Sequence, residues 1–214
     1  GLTEAIERHT GVKVYRDILI NALAYQTGLV TGKSDLAIIH AGTVVELGVL
    51  QNGRALSTPF VHEYQLAHLS VNPCGPICYC GQNGCLENYV TDKALLEQIR
   101  DAYQSQRLPG TVSQLDTLDM DSNPILSNIA VHSGKYLVQA CLYVKTTYHP
   151  KIIFLFLPNE YFIRETMAAC KQFPGLATMV KSLPINLQRV AEGTTAMASF
   201  LSIRQYIKTD KHIN

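Results

Sequence analysis

HLSVNPCGPICYCGQNGCLE, residues 68–87, gathers four of the chain's six cysteines and one of its seven histidines into a short glycine- and proline-bearing stretch. The chain reads as cytosolic, because its longest wholly apolar run, IIFLFLP at 152–158, is too short to span a bilayer and no signal-peptide pattern opens it. Thiols stay reduced in that compartment, so clustered cysteines read as metal ligands before they read as disulfides. The spacing His68-x9-Cys78-x-Cys80-x4-Cys85 offers three soft thiolates and an imidazole, a set that suits tetrahedral Zn²⁺. Four protein ligands leave no open position for a substrate water, so such a site is structural: its binding energy folds a loop with little core of its own. Cys74, Cys78, Cys80 and Cys85 form an alternative set on ligand chemistry alone. Unliganded reduced thiols in a surface loop are the plain alternative to both.

Outward from that stretch, the chain has 214 residues, enough for one large domain with a substantial core. Its charged fraction is 16%, below the roughly 25% of ordinary soluble domains, which points to surface covered in an oligomer or by other chain. The net charge of +1, with no basic run beyond KTDKH at 208–212, argues against a nucleic-acid footprint within these residues. Residues 3–10 read as a helix closed by Gly11, VKVYR at 12–16 as a short strand, and 18–32 as a helix. DLAIIHAGTVVELGVLQNGRAL, 35–56, reads as strand, turn, strand, turn, strand, with Asn52-Gly53 where a two-residue hairpin needs positive φ. Helices follow at 92–106 and 123–148, with a small one at 111–119; Pro150 ends the long one. IIFLF is a strand buried on both faces, 159–173 a helix, 185–191 a strand and 194–207 a last helix. This order is that of an α/β layered domain. Cys141 and Cys170 fall on apolar helix faces and read as core.

The histidine followed by CYCGQNGCLE resembles the zinc loop of the ROK family, named for its repressors, open reading frames and sugar kinases. Further stretches are similar to the same family: RDILINALAYQTGLVTGKSDLAIIHAG at 16–42, TTYHPKIIFLFLP at 146–158 and GTTAMASFLSI at 193–203. The resemblance implies an actin-like ATPase, ribonuclease H-like fold of two lobes. Residues 1–34 would end the small lobe, 35–192 would form the large lobe with its zinc loop, and 193–214 would pack back toward the small lobe. The family's opening Asp-x-Gly-Gly-Thr phosphate turn is not among these residues.

The resemblance also implies site residues. Asp17 stands where the family's kinases keep the aspartate that takes the sugar hydroxyl's proton, but Arg16 replaces the usual asparagine before it. A cation there would depress the aspartate's pKa and weaken it as a base. It could meet a sugar phosphate or simply pair with Asp17. The kinases' second phosphate loop, approximately Gly-Thr-Gly-x-Gly-x-Gly, is GTVVELG here, so Val44 and Glu46 replace two glycines. A β-branched side chain blocks close backbone approach, and a carboxylate repels a triphosphate. Gln65 replaces the first carboxylate of the family's Glu-x-Gly-His, while His68 and Glu87 are kept. Arg16, Asp17, Gln65, His68 and Glu87 are therefore the expected ligand-binding set, with no catalytic residue assigned.

A kept zinc loop with lost phosphate loops resembles the sugar-responsive repressors of the family, the NagC and Mlc type. That implies the effector-binding and oligomerisation portion of a regulator. It would bind a sugar or sugar phosphate, form a homo-oligomer, and touch DNA only through a winged helix outside these residues. The alternatives are the C-terminal lobe of a ROK sugar kinase and a degenerate protein-interaction module.

Overall fold

The computed structural model describes residues 1–14, 18–56, 66–103, 123–157 and 159–183. Five strands form one mixed sheet: β1 (Leu36–Ala41), β2 (Val45–Gln51), β3 (Arg54–Ala55), β4 (Ile152–Phe156) and β5 (Val180–Ser182), in the order β3-β2-β1-β4-β5. The β1–β2–β3 meander is antiparallel, and β4 and β5 run parallel to β1. The hairpin at Asn52-Gly53 has φ of 49° and 74°, the left-handed pair that the sequence calls for.

β1 is flanked on both sides, so both of its faces must be apolar, and the two-residue period sorts them. Leu36 and Ile38, with Leu50, Phe154 and Phe156, pack against Ile20, Leu23 and Ala24 of helix α2 (Leu19–Thr31). Ala37, Ile39 and Ala41, with Leu47, Val49, Ile153 and Leu155, face the larger core. That core is filled by α3 (Glu87–Val90), α4 (Asp92–Tyr103), α5 (Pro124–Tyr148), α6 (Glu160–Cys170) and α7 (Pro174–Ala177). The result is a three-layer α/β/α arrangement. Cys141 and Cys170 are buried between α5 and α6, as their apolar neighbours suggest.

Local chemistry explains the helix ends. Asn123 accepts hydrogen bonds from the N–H groups of Ile125 and Leu126 ahead of α5, with Pro124 at its first position. At the other end His149 is left-handed (φ 51°) immediately before Pro150. The first helix, α1 (Leu2–Thr10), ends at Gly11 (φ 68°), whose N–H reaches Glu7 O at 2.8 Å.

Some expectations differ. Residues 12–14 lie in no strand; Val12 is exposed, and the Val14 N–H donates to Glu7 Oε1 at 2.7 Å, so a side chain satisfies it instead of a neighbouring strand. Neither β5 nor α7 stands out in the sequence, since three and four residues carry no periodicity. The small helix at 111–119, the strand at 185–191 and the last helix at 194–207 lie outside the described residues.

Gly48 of β2 marks how closely α2 approaches the sheet: a Cβ there would sit 2.5 Å from the carbonyl oxygen of Ile20. Gly48→Val should overpack this contact, costing about 2 kcal/mol and lowering the melting temperature by roughly 4–8 °C. An unchanged melting temperature would mean that α2 does not press on β2.

Candidate functional site

The cysteine loop is held by its own backbone. The N–H groups of Leu86 and Glu87 reach back to Leu69 O and Ala67 O at 2.8 and 3.0 Å, which sets His68 beside Cys85. Farther out, Cys78 N–H donates to Gln82 O and Gly84 N–H to Pro76 O, both at 2.8 Å, which folds Cys78 and Cys80 onto the same spot. Gly84 makes the crossing possible: its φ is +64°, and a Cβ would collide with the carbonyl oxygen of Asn72. Under the loop, Leu66, Ala67, Val71, Leu86 and Val90 are buried in the main core. Tyr89 ties it to the helices: its hydroxyl accepts from Asn72 Nδ2, its carbonyl accepts from Gln98 and Ser133, and its ring lies 4.3 Å from Tyr136.

One donor atom each from His68, Cys78, Cys80 and Cys85 comes within 4.8 Å of the others, an arrangement that could hold a metal ion. Cys78 Sγ is 3.5 Å from His68 Nδ1, and Cys80 Sγ is 3.5 Å from Cys85 Sγ. The sulfur separation is far beyond the about 2.05 Å of a disulfide. Burial pushes the Cys85 thiol up to about 12 and raises Cys78 as well, whereas the Gln82 backbone N–H lowers Cys80. Cys74 is exposed and is not part of the group; its N–H donates to Asn72 Oδ1.

Glu87 adjoins the cluster, with Oε1 3.7 Å from Cys78 Sγ, and the His68 ring meets Tyr79 edge-on at 5.0 Å. Arg16, Asp17 and Gln65, the remaining expected ligand-binding residues, lie outside the described residues.

Across from the loop is the β1–β2 turn. His40 and Glu46 are directly opposed in the register, and His40 Nδ1 lies 2.8 Å from Glu46 Oε2. The imidazole also stacks on Phe156 at 4.7 Å. Asp92, whose N–H donates to Gly42 O, has its carboxyl raised by burial, an effect that nearby His40 partly offsets. Sequence reasoning passed over His40 and Asp92, although the register that opposes His40 to Glu46 follows once Gly42-Thr43-Val44 is taken as the turn. Tyr79 was also missed, as it lies between two metal-ligand candidates and carries no spacing signal.

The ROK family model matches residues 1–156, most of the chain. The chain belongs to the ROK family. It is 27% identical over 215 aligned residues to the DNA-binding transcriptional repressor Mlc of Escherichia coli, covering 92% of this chain and 50% of that protein. It is 30% identical over 106 residues to a glucokinase of Thermotoga maritima, covering 48% of this chain and 33% of the enzyme. Thus the chain spans half the length of that repressor. The solved ROK hexokinase of Thermus thermophilus superposes with a TM-score of 0.75 at 20% identity, over 94% of this chain and 72% of that one, which places the α/β sheet in the actin-like ATPase fold. Among the described residues no helix is long and apolar enough to cross a membrane.

Metal analysis of protein purified without chelator should give one divalent ion per chain. His68→Ala and Cys80→Ser should each lose most of it, and Cys74→Ser should keep it. Loss on Cys74→Ser with retention on His68→Ala would instead assign the four-cysteine set.

Proposed function

We propose that this chain is the effector-binding portion of a sugar-responsive ROK regulator, recognising a sugar or sugar phosphate without consuming ATP. The observation that carries this reading is the β1–β2 turn. Family resemblance puts the triphosphate's glycine loop there, but this chain fills the place with its own side chains. Glu46 is engaged by His40 at 2.8 Å, and Val44 stands partly exposed beside it. A nucleotide would have to break that pair and then face the freed carboxylate. The glycines that remain have packing reasons of their own. A Cβ at Gly42 would press on His40 Nε2 at 2.9 Å, and Gly48 lies under the carbonyl of Ile20. Their retention therefore does not argue for a phosphate cradle.

In the same reading the metal is zinc. Bond lengths of about 2.3 Å to sulfur and 2.0–2.1 Å to nitrogen put tetrahedral donors about 3.7 Å apart for sulfur pairs and about 3.6 Å for a sulfur–nitrogen pair. Two of the separations, at 3.5 Å, lie near those edges, and all four donors lie within 4.8 Å of one another. His68, Cys78, Cys80 and Cys85 would hold the ion with no position left for a reacting water, so its chemistry would be to hold thiolates together and stabilise the loop. It would also fix Glu87 as one wall of the sugar pocket, to which Arg16, Asp17 and Gln65 would add their polar groups. Residues 35–192 would form the large lobe, self-association would cover part of the apolar surface, and operator contact would belong to a winged helix outside these 214 residues.

The kinase reading rests on the likeness to the Thermotoga glucokinase. Isothermal titration separates the two. The regulator reading expects binding of at least one hexose or N-acetylhexosamine, with unchanged affinity in the presence of magnesium and a non-hydrolysable ATP analogue. Micromolar binding of the analogue alone, or tightening of the sugar by it, would restore the kinase.

A further inference from the structure

A cavity of about 530 Å³ opens between the cysteine loop, the β1–β2 turn and the start of α4. It is half enclosed and falls within the roughly 300–1,000 Å³ of small-molecule sites. Glu87 stands at the metal-cluster end. Its lining is mixed: Val44, Ile77 and Tyr79 supply apolar and aromatic surface, and Thr43, Asn88 and Glu97 are among the polar groups. Ile77 and Tyr79 are 78% and 80% exposed, an unusual exposure for large apolar side chains in a loop whose other members are tightly folded.

Three observations define what this lining can hold. First, the charge is wrong for a phosphate: the lining carries the carboxylates of Glu87 and Glu97 against the single ammonium of Lys93, and Lys93 already lies 3.9 Å from Glu97. Second, the N-terminal end of α4, which could attract an anion, has several of its donors engaged. Asp92 N–H goes to Gly42 O, Ala94 N–H to Thr91 Oγ1 and Leu95 N–H to Thr91 O, while Asp92 adds a negative charge to the first turn. Third, Tyr79 presents a broad aromatic surface with the His68 ring edge-on to it, Ile77 and Val44 add apolar surface, and amide, hydroxyl and carboxylate groups share the same lining. A lining that combines aromatic and apolar surface with hydrogen-bonding groups matches a pyranose ring, with its apolar C–H face and its rim of hydroxyls.

A single pyranose against Glu87 would fill only part of this volume. We propose that the cavity is a second carbohydrate subsite, so that the effector is an uncharged glycoside or disaccharide whose outer ring stacks on Tyr79. The turn that in the kinases of the family would face a triphosphate has become, with Val44, part of that subsite. This rests on the regulator reading above and narrows it from a sugar or sugar phosphate to a neutral, at least two-ring ligand.

The test is calorimetric titration of the 214-residue chain with glucose and N-acetylglucosamine, each as free sugar, as 6-phosphate, and as the corresponding β-linked disaccharide and p-nitrophenyl glycoside. The subsite predicts that a two-ring ligand binds at least about tenfold more tightly than its free sugar, a margin of about 1.4 kcal/mol. Tyr79→Ala should erase that margin and leave free-sugar binding within about twofold; Tyr79→Phe should restore it. Ile77→Ala, immediately before the metal-binding Cys-x-Cys, should reduce it, so the outcome does not hang on one variant, and metal content should remain unchanged in all three. Equal binding of one- and two-ring ligands, or a preference for the 6-phosphate, would overturn the subsite while leaving the sugar-binding reading intact. Binding of none of these carbohydrates would remove both.

Discussion

The site depends on four donor atoms being held within 4.8 Å of one another by a loop that has few apolar side chains of its own. Three thiols and an imidazole attract one another weakly. Without a cation, burial holds Cys78 and Cys85 protonated, with Cys85 near 12. A metal ion reverses that preference, and its binding energy becomes folding energy for the segment around it. The backbone is shaped for this closure. Gly84 lets two strands of the loop cross at Asn72, and the N–H groups of Leu86 and Glu87 fasten its base by donating to Leu69 O and Ala67 O. Much of the cavity wall follows from the same closure, because Ile77, Tyr79 and Glu87 are carried on that loop or immediately after it.

The β1–β2 turn shows how one scaffold can host different chemistry. The strands form an α/β sheet whose fold is shared with a solved ROK hexokinase. On the regulator reading the difference lies at the tip, where a phosphate cradle would need bare backbone and this chain has Val44 and, paired with His40, Glu46. On that reading, fold and function separate at this point. The sheet positions the turn, and a few side chains decide whether it meets a nucleotide.

Much of this was legible in the sequence because the signals were local. The Cys-x-Cys-x4-Cys spacing needs no long-range information to suggest a metal cluster, and Asn52-Gly53 declares its hairpin through φ alone. IIFLF reads as a doubly buried strand because it has no polar face to offer water. Less legible were features set by contacts between distant segments. The proximity of Asp92 to His40 depends on α4 docking against the β1–β2 turn, and β5 depends on β4 supplying a parallel edge for three residues. VKVYR reads as a strand by alternation, yet over 12–14 the N–H groups of Val12 and Val14 donate to the side chains of Thr10 and Glu7 in place of a partner strand.

The most direct measurement of the central claim, that a metal ion organises the wall of the site, is amide hydrogen exchange resolved to residues before and after chelation. The account predicts that the N–H groups of Cys78, Gly84, Leu86 and Glu87 lose protection together, while those of β1 and β4 at the sheet's centre keep theirs. Equal protection of the loop in the metal-free and metal-loaded protein would contradict it, because the backbone alone would then suffice to hold the site. Loss of protection across the whole sheet would contradict it differently, by showing that the ion supports the fold at large and not the loop.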